Sequence, residues 1–350
     1  MTNKTNPGNF FEDFSVGQEI IHATPRTASV GDVALHTALY GSRFAVQSSD
    51  EFAKSLGLIA APLDDFLGFH LVFGKTVPDV SLNAVANLGY AAGVFGPLIM
   101  PGDTVSTRST VIGVKENSNG KTGVVYVRSV GRNQRDETVL DYVRWVMVKK
   151  RDPGAPAPEP VIPDLPGAVA VEDLQVPDGL YLSAYNRDLA GSPFGWDDYA
   201  VGEKIDHVDG FTIEEAEHQM ATRLYQNTAK VHFNQFEQKE GRFGKRLIYG
   251  GHIISLARSL SFNGLANAFR VAAINGGAHC NPTFAGDTIH AWSEVLDKQE
   301  LPDRTDMGAL RLRTVATKDR PCADFPYKGE DGKYLPEVVL DFDYWVLVVR

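Results

Sequence analysis

The sequence has 350 residues, long enough to bury a large core and to form two domains of ordinary size. It is 43% apolar and 22% charged, a globular composition, and 34 basic against 44 acidic side chains leave a net charge of −10. That balance excludes nucleic acid as the main partner, because phosphate backbones are held by basic fields; a small phosphorylated ligand needs only a local cluster of positive charge.

In chain order, Phe11-Glu-Asp-Phe-Ser-Val-Gly17 opens the first repeat. The pattern then predicts a short helix over 30–40, a loop through Ser42, Arg43 and Gln47, and a strongly apolar helix over 62–74, with Pro62 suited to a first helical turn. Strands are predicted over 104–114, 123–130 and 142–148; in the last, Tyr142, Arg144, Val146 and Val148 share one face, and Val143, Trp145 and Met147 the other. The proline-rich run from Asp152 to Pro166 lacks backbone donors and favours extended chain, so 151–194 reads as a surface linker, its later part packing on the body. The same series then starts again: Trp196-Asp-Asp-Tyr-Ala-Val-Gly202, a helix over 213–225, a loop, an apolar helix over 251–260 and further strands.

The chain is therefore one fold written twice. Tyr225 stands 225 − 40 = 185 residues after Tyr40, and Trp196 the same distance after Phe11. Gly102-Asp-Thr matches Gly286-Asp-Thr at an offset of 184, and Val139-Leu-Asp matches Val339-Leu-Asp at 200, which locates an insertion of about 15 residues near 321–336. Helices followed by antiparallel-type strands predict an α+β fold, with one domain over 1–150 and its copy over 195–350.

The copies differ where chemistry can reside. Thr222-Arg-Leu-Tyr-Gln-Asn-Thr-Ala-Lys-Val-His-Phe-Asn234 carries Asn227 and His232, where the first copy has Ser42 and Gln47. Histidine can take a proton from water near neutral pH and return it; glutamine keeps the hydrogen bonding but cannot. Asn227 can orient a water but cannot act as a base. In Tyr249-Gly250-Gly251-His252, two glycines open a buried helix whose free N–H groups can hold a developing oxyanion. Arg242, Lys245 and Arg246 form the densest basic run, and with Lys230, Arg223, Arg43 and His252 are the candidates for holding phosphate or carboxylate. His279 and Cys280 are adjacent, a poor pair for one tetrahedral ion, with no second pair at finger spacing, so no metal is expected. Dinucleotide, P-loop and serine-elbow motifs do not occur. Two cysteines are too few for a disulfide framework. No apolar run is long enough to cross a membrane and no signal-peptide core opens the chain, so a cytoplasmic protein is expected.

The stretch from Tyr225 to His232, followed by Ile248-Tyr-Gly-Gly-His, Pro282 and Ala285-Gly-Asp-Thr-Ile289, resembles the MaoC-like (R)-specific enoyl-CoA hydratases, and the whole chain resembles their duplicated, mesaconyl-CoA-hydrating branch. The resemblance implies a double hot-dog fold, each half a curved antiparallel sheet wrapped around a buried helix. It implies reversible hydration of a 2-enoyl-CoA thioester, here mesaconyl-CoA, with coenzyme A as part of the substrate and no cofactor. It also implies a free acyl carboxylate, for which Lys230 is the candidate partner. Only His232 carries over unchanged: the family's aspartate falls on Asn227, its Asn-Pro pair on Ala229-Lys230 and its glycine on Gln226. His232 is then expected to move the proton, Asn227 to orient water, and Gly250 and Gly251 to polarise the thioester. A thioesterase using Asp64 or Asp65, and a non-catalytic acyl-CoA-binding protein, are the competing readings. Fused halves can supply the pairing that single-domain relatives obtain by dimerising, and a further homo-oligomer is left open.

Overall fold

The structure, a computed structural model, describes residues 4–350. Ten strands form one continuous antiparallel sheet: β1 (Glu19–Thr27), β2 (Ala84–Phe95), β3 (Thr104–Glu116), β4 (Thr122–Arg132), β5 (Thr138–Lys149), β6 (Lys204–Thr212), β7 (Ala268–His279), β8 (Thr288–Leu301), β9 (Arg304–Lys318) and β10 (Val338–Val349). Their order, β1-β3-β4-β5-β2-β7-β10-β9-β8-β6, is the same five-strand series read outward in both directions from the β2–β7 seam.

The seam obeys a local two-fold relation, pairing Tyr90 with Gly277 and Gly93 with Ile274. Equivalent residues of the repeat also meet across it. Tyr225 donates to its counterpart Tyr40 at 2.8 Å, and His70 Nε2 lies 2.9 Å from the hydroxyl of its counterpart Ser255.

Each half wraps its strands around a central helix. In the first this is Asp65–Thr76, every residue of which is buried; in the second it is Gly250–Leu260. The first central helix starts after Pro62 because Asp64 Oδ1 accepts the N–H of Phe66 at 2.9 Å and caps it there, leaving Leu63 to pair with Ile99. The preceding short helices are Val30–Tyr40 and Glu215–Leu224. The pattern reading missed β7 because the first eight of its residues are all buried, as a central strand covered on both faces must be, so no alternation is visible.

The proline-rich segment lies along the outer side of the sheet. Val169, Leu174, Leu180 and Leu182 pack on Phe269, Met307 and Trp345, and Trp345 Nε1 donates to the Val169 carbonyl at 3.0 Å. The insertion forms a loop between β9 and β10, with Lys328 bridged to Tyr334. No helix among the described residues is long and apolar enough to cross a membrane.

Candidate active site

After the helix Glu215–Leu224 the chain turns sharply: Gln226 has φ 54°. Asn227 is 1% exposed and its Oδ1 accepts the N–H of Ala229 at 3.1 Å, which fixes the turn and starts a single helical turn, Lys230–Phe233, carrying His232. His232 Nδ1 donates to the Leu247 carbonyl at 2.8 Å. A carbonyl only accepts, so the proton sits on Nδ1 and Nε2 keeps its lone pair. Desolvation pushes the His232 pKa down to about 4, with the Leu247 carbonyl opposing it. At neutral pH His232 is therefore an unprotonated base.

Beside it begins the second central helix. Tyr249 precedes the first helical residue and gives no side-chain cap, and its N–H donates to His218 Nε2 at 2.9 Å. The N–H groups of Gly250 and Gly251, at the first two helical positions, have no carbonyl four residues back within the helix. The Tyr249 ring lies 5.6 Å from that of His232, centroid to centroid. His279, at the end of β7, packs on Gly250 so closely that a Cβ there would stand 2.3 Å from His279 Cε1. Its Nε2 lies 3.1 Å from the Tyr90 hydroxyl of the first half, and its buried Nδ1 has no partner among the described residues.

The first half reaches the site through a hydrogen-bonded chain. Tyr225 donates to Tyr40, and Tyr40 in turn lies 2.8 Å from His252 Nδ1, to which its remaining proton is directed. His70 Nδ1 lies 3.3 Å from the Tyr249 hydroxyl. Burial pushes His218 down to about 2 and His252 to about 3, in both cases helped by neighbouring histidines; His70 falls well below its ordinary value, also mainly by burial.

A pH dependence of stability follows. The folded-state pKa values of His218, His252 and His207 (the last about 4) lie below the unfolded value of 6.5. Above pH 6.5 neither state is protonated; below it the unfolded chain binds protons that the folded chain does not. At pH 5 each of these three should cost about 2 kcal/mol. Thermal melting is expected to drop steeply between pH 6.5 and pH 4; a midpoint unchanged over that range would contradict neutral burial of these rings.

The equivalent place in the first half is closed. Gln47 Nε2 donates to the Phe269 carbonyl at 2.7 Å. Asp64 occupies the helix-start donor of Phe66. Asp65 is buried, ion-paired with Arg270, and accepts the N–H of Val271 at 2.7 Å. Both carboxylates proposed for a thioesterase are thus engaged in holding structure.

Most of the basic candidates are also engaged. Lys230 is exposed and lies 3.6 Å from Glu237. Arg246 binds Glu215 at 2.8 Å and the Gln219 side chain. Lys245 lies over Phe284 and Arg242 against Phe243. Arg43 stacks on Phe262, in the loop just before the short helix Ala45–Ser48 that carries Gln47, and Arg223 is exposed. Among the described residues none of these is bonded to His232, Gly250 or His279, and of His252 only Nδ1 is engaged, by Tyr40. Instead His232, Gly250 and Gly251 come together with His279, Tyr90, Tyr249 and His218, none of which sequence reasoning selected for catalysis or substrate binding. Tyr90 and His279 lie 189 residues apart, and no spacing rule links them. His279 and Cys280 diverge, Cys280 Sγ lying 3.5 Å from the Ala278 carbonyl.

A family model described as mesaconyl-CoA hydratase matches residues 1–328. A β-methylmalyl-CoA dehydratase of Chloroflexus aurantiacus is 69% identical over 350 residues, covering 100% of this chain and 99% of that one. A mesaconyl-CoA hydratase of Cereibacter sphaeroides is 62% identical over 347 residues, covering 99% and 100%. A crystal structure from Chloroflexus aurantiacus, described as a MaoC domain protein dehydratase, superposes with a TM-score of 0.98 at 69% identity, over 100% of this chain and 99% of that one. A Mycobacterium tuberculosis protein described as having a double hot-dog fold superposes at 0.75 with 23% identity over 97% and 98%, a likeness of fold alone. With the family model matched over most of its length, and two relatives above 60% identity end to end, the chain belongs to the mesaconyl-CoA hydratase family.

Proposed function

We propose that this protein is a hydro-lyase that reversibly adds water to mesaconyl-CoA (2-methylfumaryl-CoA), giving β-methylmalyl-CoA. One observation carries the chemistry. His232, its proton fixed on Nδ1 by the Leu247 carbonyl, presents a bare Nε2 beside a helix start whose donors no side chain caps.

The thioester carbonyl accepts from the N–H groups of Gly250 and Gly251 and is polarised there. His232 Nε2 takes a proton from water, and the water oxygen bonds to the β-carbon of the enoyl group. The C=C electron pair moves onto the α-carbon and thioester as an enolate held by those N–H groups. The imidazolium then returns its proton to the α-carbon, so water has been added and the histidine is restored. Asn227, with Oδ1 committed to its turn, retains its amide N–H groups to orient the water. Coenzyme A enters as part of the substrate, and the chemistry calls for no other group.

Incubation with mesaconyl-CoA separates the readings. Loss of enoyl-thioester absorbance without free thiol is the expected result. Thiol release would make the protein a thioesterase, and tight binding without turnover a carrier.

A further inference from the structure

The substrate of the proposed reaction carries a free carboxylate beside the carbon that receives water, and an anion entering an apolar site needs donors. Most basic side chains that the sequence offers for this are turned to another partner, Lys230 to Glu237, Arg246 to Glu215 and Arg43 to Phe262, and Arg223 is exposed. Among the described residues, one buried ring nitrogen at the site itself is left without a partner. His279 packs on Gly250, and its Nδ1 is buried with no partner among the described residues. Its other ring nitrogen faces the hydroxyl of Tyr90 at 3.1 Å. Burial holds the Tyr90 phenol protonated and the His279 ring neutral. A neutral phenol that donates to Nε2 places the imidazole proton on Nδ1. That N–H stands beside Gly250, at the positive end of the second central helix.

Resting on the proposed hydration of a dicarboxylic enoyl thioester, we infer that His279, set in its tautomer by Tyr90 of the first half, is the specificity-determining residue that receives the free carboxylate of the acyl group through its Nδ1–H. The recognition is neutral donor to anion, assisted by the helix dipole. It gives the first half a defined task, since Tyr90 lies on β2 and His279 on β7, on either side of the seam.

The test compares two saturated thioesters of equal acyl length, one with the terminal carboxylate and one without: succinyl-CoA and butyryl-CoA. Calorimetric binding to the wild-type protein should favour succinyl-CoA. His279→Phe should weaken succinyl-CoA by about 10- to 100-fold, the range for a hydrogen bond to a charged group, while changing butyryl-CoA far less. Tyr90→Phe should narrow the preference by freeing the tautomer, and His279→Gln, which keeps an N–H, should restore part of it. Equal loss of both thioesters in His279→Phe would overturn the inference, as would a wild type that does not discriminate. If His279→Phe fails to fold, a preference left intact by Tyr90→Phe and unchanged by His279→Gln overturns it equally. A wild type that prefers succinyl-CoA but never hydrates mesaconyl-CoA would instead remove the proposed reaction and leave the carboxylate site standing.

Discussion

His232→Gln is expected to abolish hydration of mesaconyl-CoA while leaving the fold intact. The substitution copies the first half, where Gln47 holds the equivalent place and donates to a backbone carbonyl. An amide N–H can replace the bond from His232 Nδ1 to the Leu247 carbonyl, so the one-turn helix Lys230–Phe233 keeps its anchor. What it cannot replace is the lone pair on Nε2, because an amide does not accept a proton at neutral pH. Loss of a general base typically costs about 10²- to 10⁴-fold, and here the same group also returns the proton, so the upper part of that range is expected in kcat. Absorbance of the enoyl thioester measures the loss, and circular dichroism with thermal melting confirms that the protein still folds. Wild-type turnover in this variant would remove His232 from the mechanism.

Gly74→Ala should be strongly destabilising, although it replaces glycine within a helix. In an isolated helix the exchange gains about 1 kcal/mol. Here a Cβ at position 74 would lie 1.7 Å from the Tyr225 carbonyl oxygen. Backbone stands on both sides of that contact, so no side chain can swing aside. Either the first central helix or the turn through Gln226 and Asn227 must move, at an expected cost of about 3 kcal/mol. The same movement displaces the turn that leads into His232, so kcat should fall along with the melting temperature. Gly68→Ala is the control: its Cβ would meet only the end of the Ile99 side chain, at 3.0 Å, which can shift. A Gly74→Ala protein that melts at or above the wild-type temperature would show that the two halves are not pressed together here as described.

That contact shows why the two halves act as one site. The central helix of the half that carries Gln47 contributes the glycine, and the turn leading to His232 rests on it; Lys75, next along that helix, donates to the Gln226 side chain. In the first copy Asp64 takes the helix-start N–H of Phe66 and Asp65 pairs with Arg270, yet Tyr40, His70 and Tyr90 all reach into the second. On the proposed reaction, divergence after duplication is a change of task from chemistry to positioning.

Much of this was legible in the residues. The offset of 185 between Tyr40 and Tyr225 revealed the duplication, and the exchange of His232 for Gln47 singled out the half proposed to carry the proton chemistry. The helix over 30–40 and the burial of both central helices also followed from local pattern, because periodicity and turn chemistry act over a few residues. Resemblance in the same stretch supplied the fold and the class of reaction.

The partners of each charge were not legible. Lys230, Arg246 and Arg43 looked available because a sequence shows a cation without the carboxylate or ring that will hold it. His279 looked like half of a failed metal pair because Tyr90 and Gly250, the groups that give it meaning, reach it only through strand pairing at the seam and the packing of the second central helix. The amino-acid sequence by itself determined that there are two copies and which one carries His232 where the other has Gln47. Only the tertiary structure decided which donors remain unpaired around that histidine, because hydrogen bonds and ion pairs are closed by whichever groups folding brings within about 3 Å, and chain separation does not enter.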